Sequence, residues 1–391
     1  MPIPLAYNAR SLLVRRWTSA FNAGGIALVV AATMLLASLV GGLKRMLVAT
    51  GEPDNLVVMR KGATNDGSSQ VPREAAQTIR VISGIARGPD GEPLASAELV
   101  NQPFMITRNG GRENVLVRGV EPAAFRVHRA VRLVEGRLFQ PKLGEVVVGQ
   151  GVVSRYAGMR VGGDVQFGRR RWKVVGVFSS GGTAFDSEIW ADVRDVQDDT
   201  RREGYSGLRI TVAPDADRDA VVRRIDGDPR WALEAKPEIA YYREQAETAN
   251  ALYGLVLTLA LIMGTGAVFG ALNTMYATVA SRTAEIGTLR ALGFGRGAIL
   301  GSFLSESLLL AGAGFAAGAG LAGLAVFAIN TLLSGIAFSM MTFSVATVRL
   351  HISAAGFAIG AALAAAIGTI GGIAPAWRAA HLRVVDALRR A

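Results

Sequence analysis

The stretch ASRTAEIGTLRALGFGRGAI, residues 280–299, lies between two long hydrophobic runs, yet six of its first eleven residues are charged or hydroxylated. The run before it, 251–280, carries no charge, and the run after it, 303–333, carries one, Glu306. Two further runs, 23–43 and 353–376, carry none. Each of the four reaches the length of about 20 apolar helical residues that crosses a hydrocarbon core. The sequence therefore predicts a multi-pass α-helical membrane protein with four transmembrane helices, and 280–299 is a polar connection between the second and third.

Arginine placement orients the spans. Arg10, Arg15, Arg16, Arg282, Arg290, Arg296, Arg378, Arg383, Arg389 and Arg390 fall in the N-terminal segment, the 280–299 loop and the tail, against only Glu285 and Asp386. By the positive-inside rule these segments are cytoplasmic, which places both termini inside. Lys44 and Arg45 run against the rule. The first run is read as an uncleaved signal anchor, because a signal h-region spans only about 7–15 residues before a small-residue cleavage site.

The expected order is a cytoplasmic amphipathic helix at 1–20, a first span at 21–43, an extracytoplasmic domain at 44–248 and a second span at 249–280. A cytoplasmic helix and loop at 281–299, a third span at 300–333, an extracytoplasmic loop at 334–352, a fourth span at 353–376 and a tail at 377–391 follow. In 1–20, Leu5, Ala9, Leu12, Leu13 and Trp17 recur at helical spacing with arginines between them, the pattern of a helix lying on a membrane surface.

Composition removes several function classes. There is no Cys and there are three His, so disulfide frameworks and metal clusters are all but excluded. The net charge of +11 divides into +3 for residues 44–248 and +8 for the rest. The high basicity thus follows membrane topology and does not mark a nucleic-acid face. The one basic-aromatic cluster, Arg169–Arg171 with Trp172 and Lys173, reads as a strand with alternating exposed charge.

Residues 44–248 read as α+β. Strand candidates are NLVVMR, ENVLVRGV, GEVVVG, DVQFG, RRWKVVGVF, SEIWADV and LRITVA, and helix candidates begin at Ser69 and Asp215. The segment from LRITVA through the second helix to WALEAK is a β-α-β element, and the many short strands suggest a barrel-like or sandwich unit. Trp190, Phe185 and Trp231 are candidates for an exposed apolar patch, against the prior that large aromatics sit in a core.

Small-residue spacings recur in the spans: Gly266 and Gly270, Gly314 and Gly318, Gly356 and Gly360, Gly368 and Gly372. In lipid such spacing lets helix backbones approach closely. The glycine-rich run from Gly312 is read as helix packing, since a phosphate loop requires Gly-Lys-Ser or Gly-Lys-Thr and the chain contains no Gly-Lys pair. Glu306 stands within about two turns of the cytoplasmic loop, in reach of Arg296 or Arg290.

The 280–299 segment itself predicts a short helix from a Ser or Thr cap to Gly293. Ile286, Leu289 and Leu292 form an apolar ridge, with Ala284 and Ala291 nearby and Arg282, Glu285 and Arg290 at its flanks, a form suited to docking in a groove of another protein or to an inert connection.

SRTAEIGTLRALGFGRGAILGSFLSESLLL, from Ser281, resembles the cytoplasmic coupling helix and following span of the FtsX-like and MacB-type ABC transporter permeases, a group that includes LolC/LolE-like members. PAWRAAHLRVVDALRR, 375–390, is similar to the closing signature of the same family, although a Pro usually stands there where this chain has Val384 or Val385. GEVVVGQGVVSRYAGMRVGGDVQFGRRRWKVVGVF, 144–178, resembles a family segment more weakly. The resemblance covers the architecture of the whole chain and implies the type VII permease fold.

It further implies a non-catalytic permease subunit of a bacterial inner membrane that dimerises with a second copy or paralogue. A separate ABC ATPase subunit, holding ATP and Mg, would bind at Arg282, Glu285, Ile286, Leu289, Arg290 and Gly293, and its motion would be transmitted to the outer domain. No cofactor is expected on this chain and no nucleic-acid partner. Export or extraction of a hydrophobic or amphiphilic substrate is the leading expectation, with membrane lipids, a periplasmic adaptor and an outer-membrane channel as further partners. A signalling subunit that regulates a cell-wall hydrolase is the alternative. A membrane enzyme ranks last, because His128, His351 and His381 are isolated in sequence.

Overall fold

A computed structural model describes residues 16–247, 250–332, 336–338 and 346–382. The expected surface helix at 1–20 therefore lies mostly outside the described residues, as does half of the tail signature, 383–390. In chain order the helices are α1 (Arg16–Val48), α2 (Arg73–Arg80), α3 (Ala124–Val127), α4 (Gln150–Arg155), α5 (Val193–Thr200) and α6 (Arg218–Asp226). They continue with α7 (Glu238–Glu247), α8 (Asn250–Ser281), α9 (Thr283–Ala291), α10 (Arg296–Leu332) and α11 (Ala354–Ala380). The strands are β1 (Asn55–Arg60), β2 (Ala95–Asn101), β3 (Phe104–Ile106), β4 (Arg112–Asn114), β5 (Leu116–Val120), β6 (Arg132–Gly136) and β7 (Glu145–Gly149). After them come β8 (Asp164–Phe167), β9 (Arg170–Ser179), β10 (Glu188–Asp192), β11 (Gly207–Thr211), β12 (Leu233–Pro237), β13 (Ile336–Phe338) and β14 (Ala346–Val348).

The chain divides into two units, one of helices and one of mixed α+β structure. In the helical unit, α1, α8 with the helix leading into it, α10 and α11 are long and apolar enough to cross a membrane. Ile26, Val30 and Met34 of α1 lie in one buried cluster with Ala271, Ala311, Ala322, Ala364 and Ile367 from the other three. Glycines set the closeness of that packing. A Cβ on Gly318 would stand 2.6 Å from the carbonyl oxygen of Ala27, and one on Gly314 2.8 Å from Cβ of Ile26. On α11, Gly360 faces Met34 and Gly356 faces Ala37, while Gly368 and Gly372 lie over Ala311 and Ser307 of α10. Gly266 and Gly270 differ: a Cβ at either would meet nothing within 4 Å, so their expected close approach has no partner helix among the described residues.

The α+β unit is built on one open mixed sheet ordered β12-β1-β11-β2-β5-β10-β7-β9-β6, with β8 paired to β9. This corrects the barrel or sandwich expectation, because the path has two free ends. Strands β1 and β2 run antiparallel to β11, which lies between them, and β11 and β12 run antiparallel to β1. With α2 after β1 and α6 after β11, these four strands form two interleaved split β-α-β units, the ferredoxin-like arrangement. The expected β-α-β element is present in this split form, with β1 inserted between its strands.

Residues between β2 and β11 build the rest of the sheet. Strand β2 serves both halves, its first residues pairing with β11 and Leu99–Asn101 with β5. Strand β7 is buried along its whole length between β10 and β9, which is why its sequence is a continuous valine run. The β8–β9 hairpin turns at Gly168, φ +61°. It places Trp172 in the core while Arg171 and Lys173 face out, the period-2 alternation expected of this basic cluster.

The aromatic candidates divide. Phe185 and Trp190 are fully buried in one cluster with Phe178 and Phe139, so they cannot present a surface. Trp231 is half-buried with the Arg230 guanidinium 4.3 Å above its ring. Among the described residues, the exposed large apolar side chains of the unit are instead Val81 after α2, Phe104 and Ile106 on β3, and Leu133, Val134, Leu138 and Leu143 in and after edge strand β6.

Candidate functional site

Helix α9 takes its direction from the ends of its neighbours. Helix α8 runs to Ser281, whose hydroxyl donates back to the carbonyl of Thr278, and Thr283 donates back to Ala280. Neither hydroxyl caps α9; its first position is held by Arg282. This corrects the expected Ser or Thr cap. The other end behaves as the sequence predicts. Gly293 adopts φ +91°, its amide donates to Arg290 O, and the amide of Phe294 donates to Leu289 O. This pair of bonds is a Schellman motif, and the left-handed residue it requires strongly favours glycine.

The expected apolar ridge divides: Ile286 and Leu289 face inward, whereas Leu292, 71% exposed, turns to solvent. Ile286 is 2% exposed in a cluster with Met275 and Val279 of α8, Ile299 and Phe303 of α10, and Ala376, Ala379 and Ala380 of α11. Leu289 and Phe294 pack against the same cluster. Ile286 and Leu289 of the expected docking ridge therefore seat α9 on its own chain, where burying Ile286 alone contributes roughly 1.5–3 kcal/mol. The face turned to solvent consists of Glu285, Thr288, Ala291 and Leu292.

Polar contacts fix the same seat. Arg282 donates through Nε to Glu285 at 2.8 Å and through Nη1 to Glu306 at 3.0 Å. Glu306 is 3% exposed, and the Arg282 guanidinium also lies over the Phe303 ring. Its partner is thus Arg282 and not the expected Arg296 or Arg290. Arg290 instead donates to the carbonyl of Ala380 at 3.1 Å, tying α9 to the end of α11. Helix α9 is consequently bonded or packed to three candidate spans at once.

A second polar cluster, invisible in the sequence, occupies the interior of the α+β unit. Arg118 on β5 makes a bidentate pair with Glu188 at 2.7 Å and reaches Glu98 at 3.0 Å and Asp66 at 3.3 Å. Arg209 on β11 forks onto Asp66 at 3.0 and 2.7 Å. His128, fully buried after α3, contacts Glu98 through Nε2 at 2.7 Å. Burial alone would raise the carboxyls of Glu98 and Asp66. Beside Glu98 the charge and hydrogen bond of His128, then Arg209 and Arg118, outweigh it, and beside Asp66 Arg209 and Arg118 do, so both are held below the usual carboxylate range. His351 and His381 are exposed, the latter stacked on Trp377. Among the described residues no group of His, Asp and Glu is placed to hold a metal ion.

Residues 19–227, just over half of the chain, match the MacB-like periplasmic core domain, and 257–384 match the FtsX-like permease C-terminal domain. The macrolide export ATP-binding/permease protein MacB of Bdellovibrio bacteriovorus is 25% identical over 97% of this chain and 60% of its own length. MacB 1 of Aeromonas hydrophila is 28% identical over 81% of this chain and 50% of its own. The chain thus spans about half the length of these relatives. Among solved structures, the periplasmic region of MacB from Actinobacillus actinomycetemcomitans is 13% identical with a TM-score of 0.39, covering 49% of this chain and 92% of that one. With both domain families matched in the order that the two units require, the chain belongs to the FtsX-like ABC transporter permeases that carry a MacB-like periplasmic domain.

Proposed function

We propose that this chain is the permease subunit of an ABC transporter in which an ATPase on a separate chain drives motion of the extracytoplasmic domain, exporting or extracting a hydrophobic or amphiphilic substrate. The observation that carries the reading is the seat of α9. A force on the exposed face of a helix bonded to α10 by Arg282–Glu306 and to α11 by Arg290–Ala380 O is delivered to several spans together. The ATPase would hold ATP and Mg and contact Glu285, Thr288 and Leu292; Ile286 and Leu289 would keep α9 in place beneath. Dimerisation with a second permease copy, cytoplasmic termini, a periplasmic adaptor and an outer-membrane channel belong to the same proposal.

The test is a tagged permease purified from its native membrane with its partners identified by mass spectrometry. An ABC ATPase should copurify with the wild type and be lost with Glu285→Lys or Leu292→Asp, while each variant still inserts and folds. Recovery of no ATPase with the wild type, or equal recovery with both variants, would overturn the reading.

A further inference from the structure

The polar cluster inside the α+β unit holds four carboxylates, Asp66, Glu98, Glu188 and Glu238, against two guanidinium groups, Arg118 and Arg209. A surplus of negative charge in a buried site is costly. The remaining ionisable group is His128, and its position is specific. Nε2 meets Glu98 at 2.7 Å, and Nδ1 faces Oε1 of Glu238 at 4.0 Å, with Arg209 Nε 3.6 Å from the same oxygen. These three atoms, His128 Nδ1, Glu238 Oε1 and Arg209 Nε, are all buried without a hydrogen-bond partner. An imidazole with a carboxylate opposite each nitrogen is placed to donate from both, which only its protonated form can do. One bridging water or a small rotation closes the 4.0 Å gap.

Glu238 is the first residue of α7, the helix that precedes α8. Its other oxygen, Oε2, accepts from the backbone amide of Glu52 at 3.0 Å and from Asn55 Nδ2 at 3.0 Å. Asn55 also donates to Val127 O, beside His128, and accepts from Thr211. Glu52 belongs to the segment that leaves α1, so one carboxylate joins the chain entering the α+β unit to the chain leaving it. The backbones are close there: a Cβ on Gly51 would stand 2.9 Å from Ile239 N.

We propose that His128, between Glu98 and Glu238, is a proton-binding site that latches the segment after α1 to the start of α7. With the proton bound, His128 bridges the two carboxylates and the latch is closed. Without it, Glu238 faces the surplus charge of Asp66, Glu98 and Glu188, and the start of α7 separates from Glu52. Burial pushes the Tyr241 and Tyr242 hydroxyls up, and Arg129 pairs with Glu52 and Asp54 toward the surface. This proposal is independent of the ATPase reading.

The chain has no cysteine, so spin labels can be placed at exposed Pro53→Cys and Arg243→Cys in the full-length protein in lipid nanodiscs. Their separation is measured by electron–electron double resonance at about pH 5.5 and about pH 8, which bracket imidazole titration. In the wild type the longer-distance component is expected to rise about tenfold at the higher pH. His128→Gln should show the longer distance at both pH values. Glu238→Gln should show the shorter distance at both, because its oxygen can still accept from Glu52 and Asn55 while its amide donates to neutral His128. A wild-type distance unchanged with pH, or a pH response retained in His128→Gln, would overturn the proposal. Should His128→Gln fail to fold, the wild type and Glu238→Gln decide it.

Discussion

Arg282, at the start of the short helix α9, donates to Glu306 inside the long helix α10 at 3.0 Å, and both side chains are buried. Removing one partner of a buried pair costs about 3–5 kcal/mol when the charge left behind is uncompensated, and less for Arg282, which keeps Glu285. Glu306→Leu should therefore lower the thermal unfolding midpoint of the purified chain. The double variant Arg282→Met with Glu306→Leu should lose less than the sum of the two single changes. Additive losses in that cycle would show that the two residues do not interact.

Gly293→Val should destabilise α9 by roughly 1–2 kcal/mol, because a β-branched residue is forced into the left-handed region that Gly293 occupies at φ +91°. A Cβ there meets no other atom within 4 Å, so the effect is one of backbone conformation alone. Gly293→Asn, which tolerates that region, should recover much of the loss. Proteolysis within 282–295 of the folded chain reads the difference directly.

Glycines of the spans should divide by what they face. Gly318→Val places a branched side chain where even Cβ would lie 2.6 Å from Ala27 O, and such overpacking costs about 1–3 kcal/mol. Gly266→Val should leave the thermal midpoint of the monomeric chain nearly unchanged, since nothing in the described structure approaches that position. If Gly266→Val destabilises the monomer as strongly as Gly318→Val, the helix packing described for α1 and α10 is wrong.

These contrasts also mark what the sequence could and could not convey. The four spans were legible because apolar runs of that length with at most one charge have few other uses, and β7 because a strand buried on both faces must be continuously apolar. The Arg171-Trp172-Lys173 alternation disclosed its strand in the same local way. Strand β2, ASAELVN, carries no such pattern, and the interleaving of β1 with β11 joins residues far apart in the chain, such as Asn55 and Thr211. The spacing of Ile286 and Leu289 showed that they share a face of a helix. It could not show whether that face meets a partner or the chain's own α8, α10 and α11. His128 looked isolated for the same reason, its carboxylate partners lying on other elements.

Acid should destabilise the α+β unit through Asp66 and Glu98. Both carboxyls are held below their ordinary values in the folded state, so their contribution is fully present above about pH 4 and is lost as pH falls through the lowered values. Thermal midpoints of the full chain should hold on mild acidification and drop below about pH 4. Arg209→Met removes a cation that lowers both groups and should move that drop toward neutral pH. An acid limb unchanged in Arg209→Met would show that other carboxylates control it.

The arginines that flank the spans predict a cytoplasmic α9 and an α+β unit on the opposite side. A cysteine-free chain suits site-specific labelling, but burial must be matched before topology can be read from it. Ser180 is only 3% exposed and would resist a thiol reagent on either side of a membrane. Ser154 and Ser281 are both exposed, and Ser→Cys changes a single atom at each. An impermeant maleimide applied to intact spheroplasts should modify Ser154→Cys readily, and Ser281→Cys only after the membrane is opened. Equal modification of the two before opening would put Arg282, Arg290 and Arg296 outside, against the charge rule, and would remove α9 from the reach of any cytoplasmic ATPase.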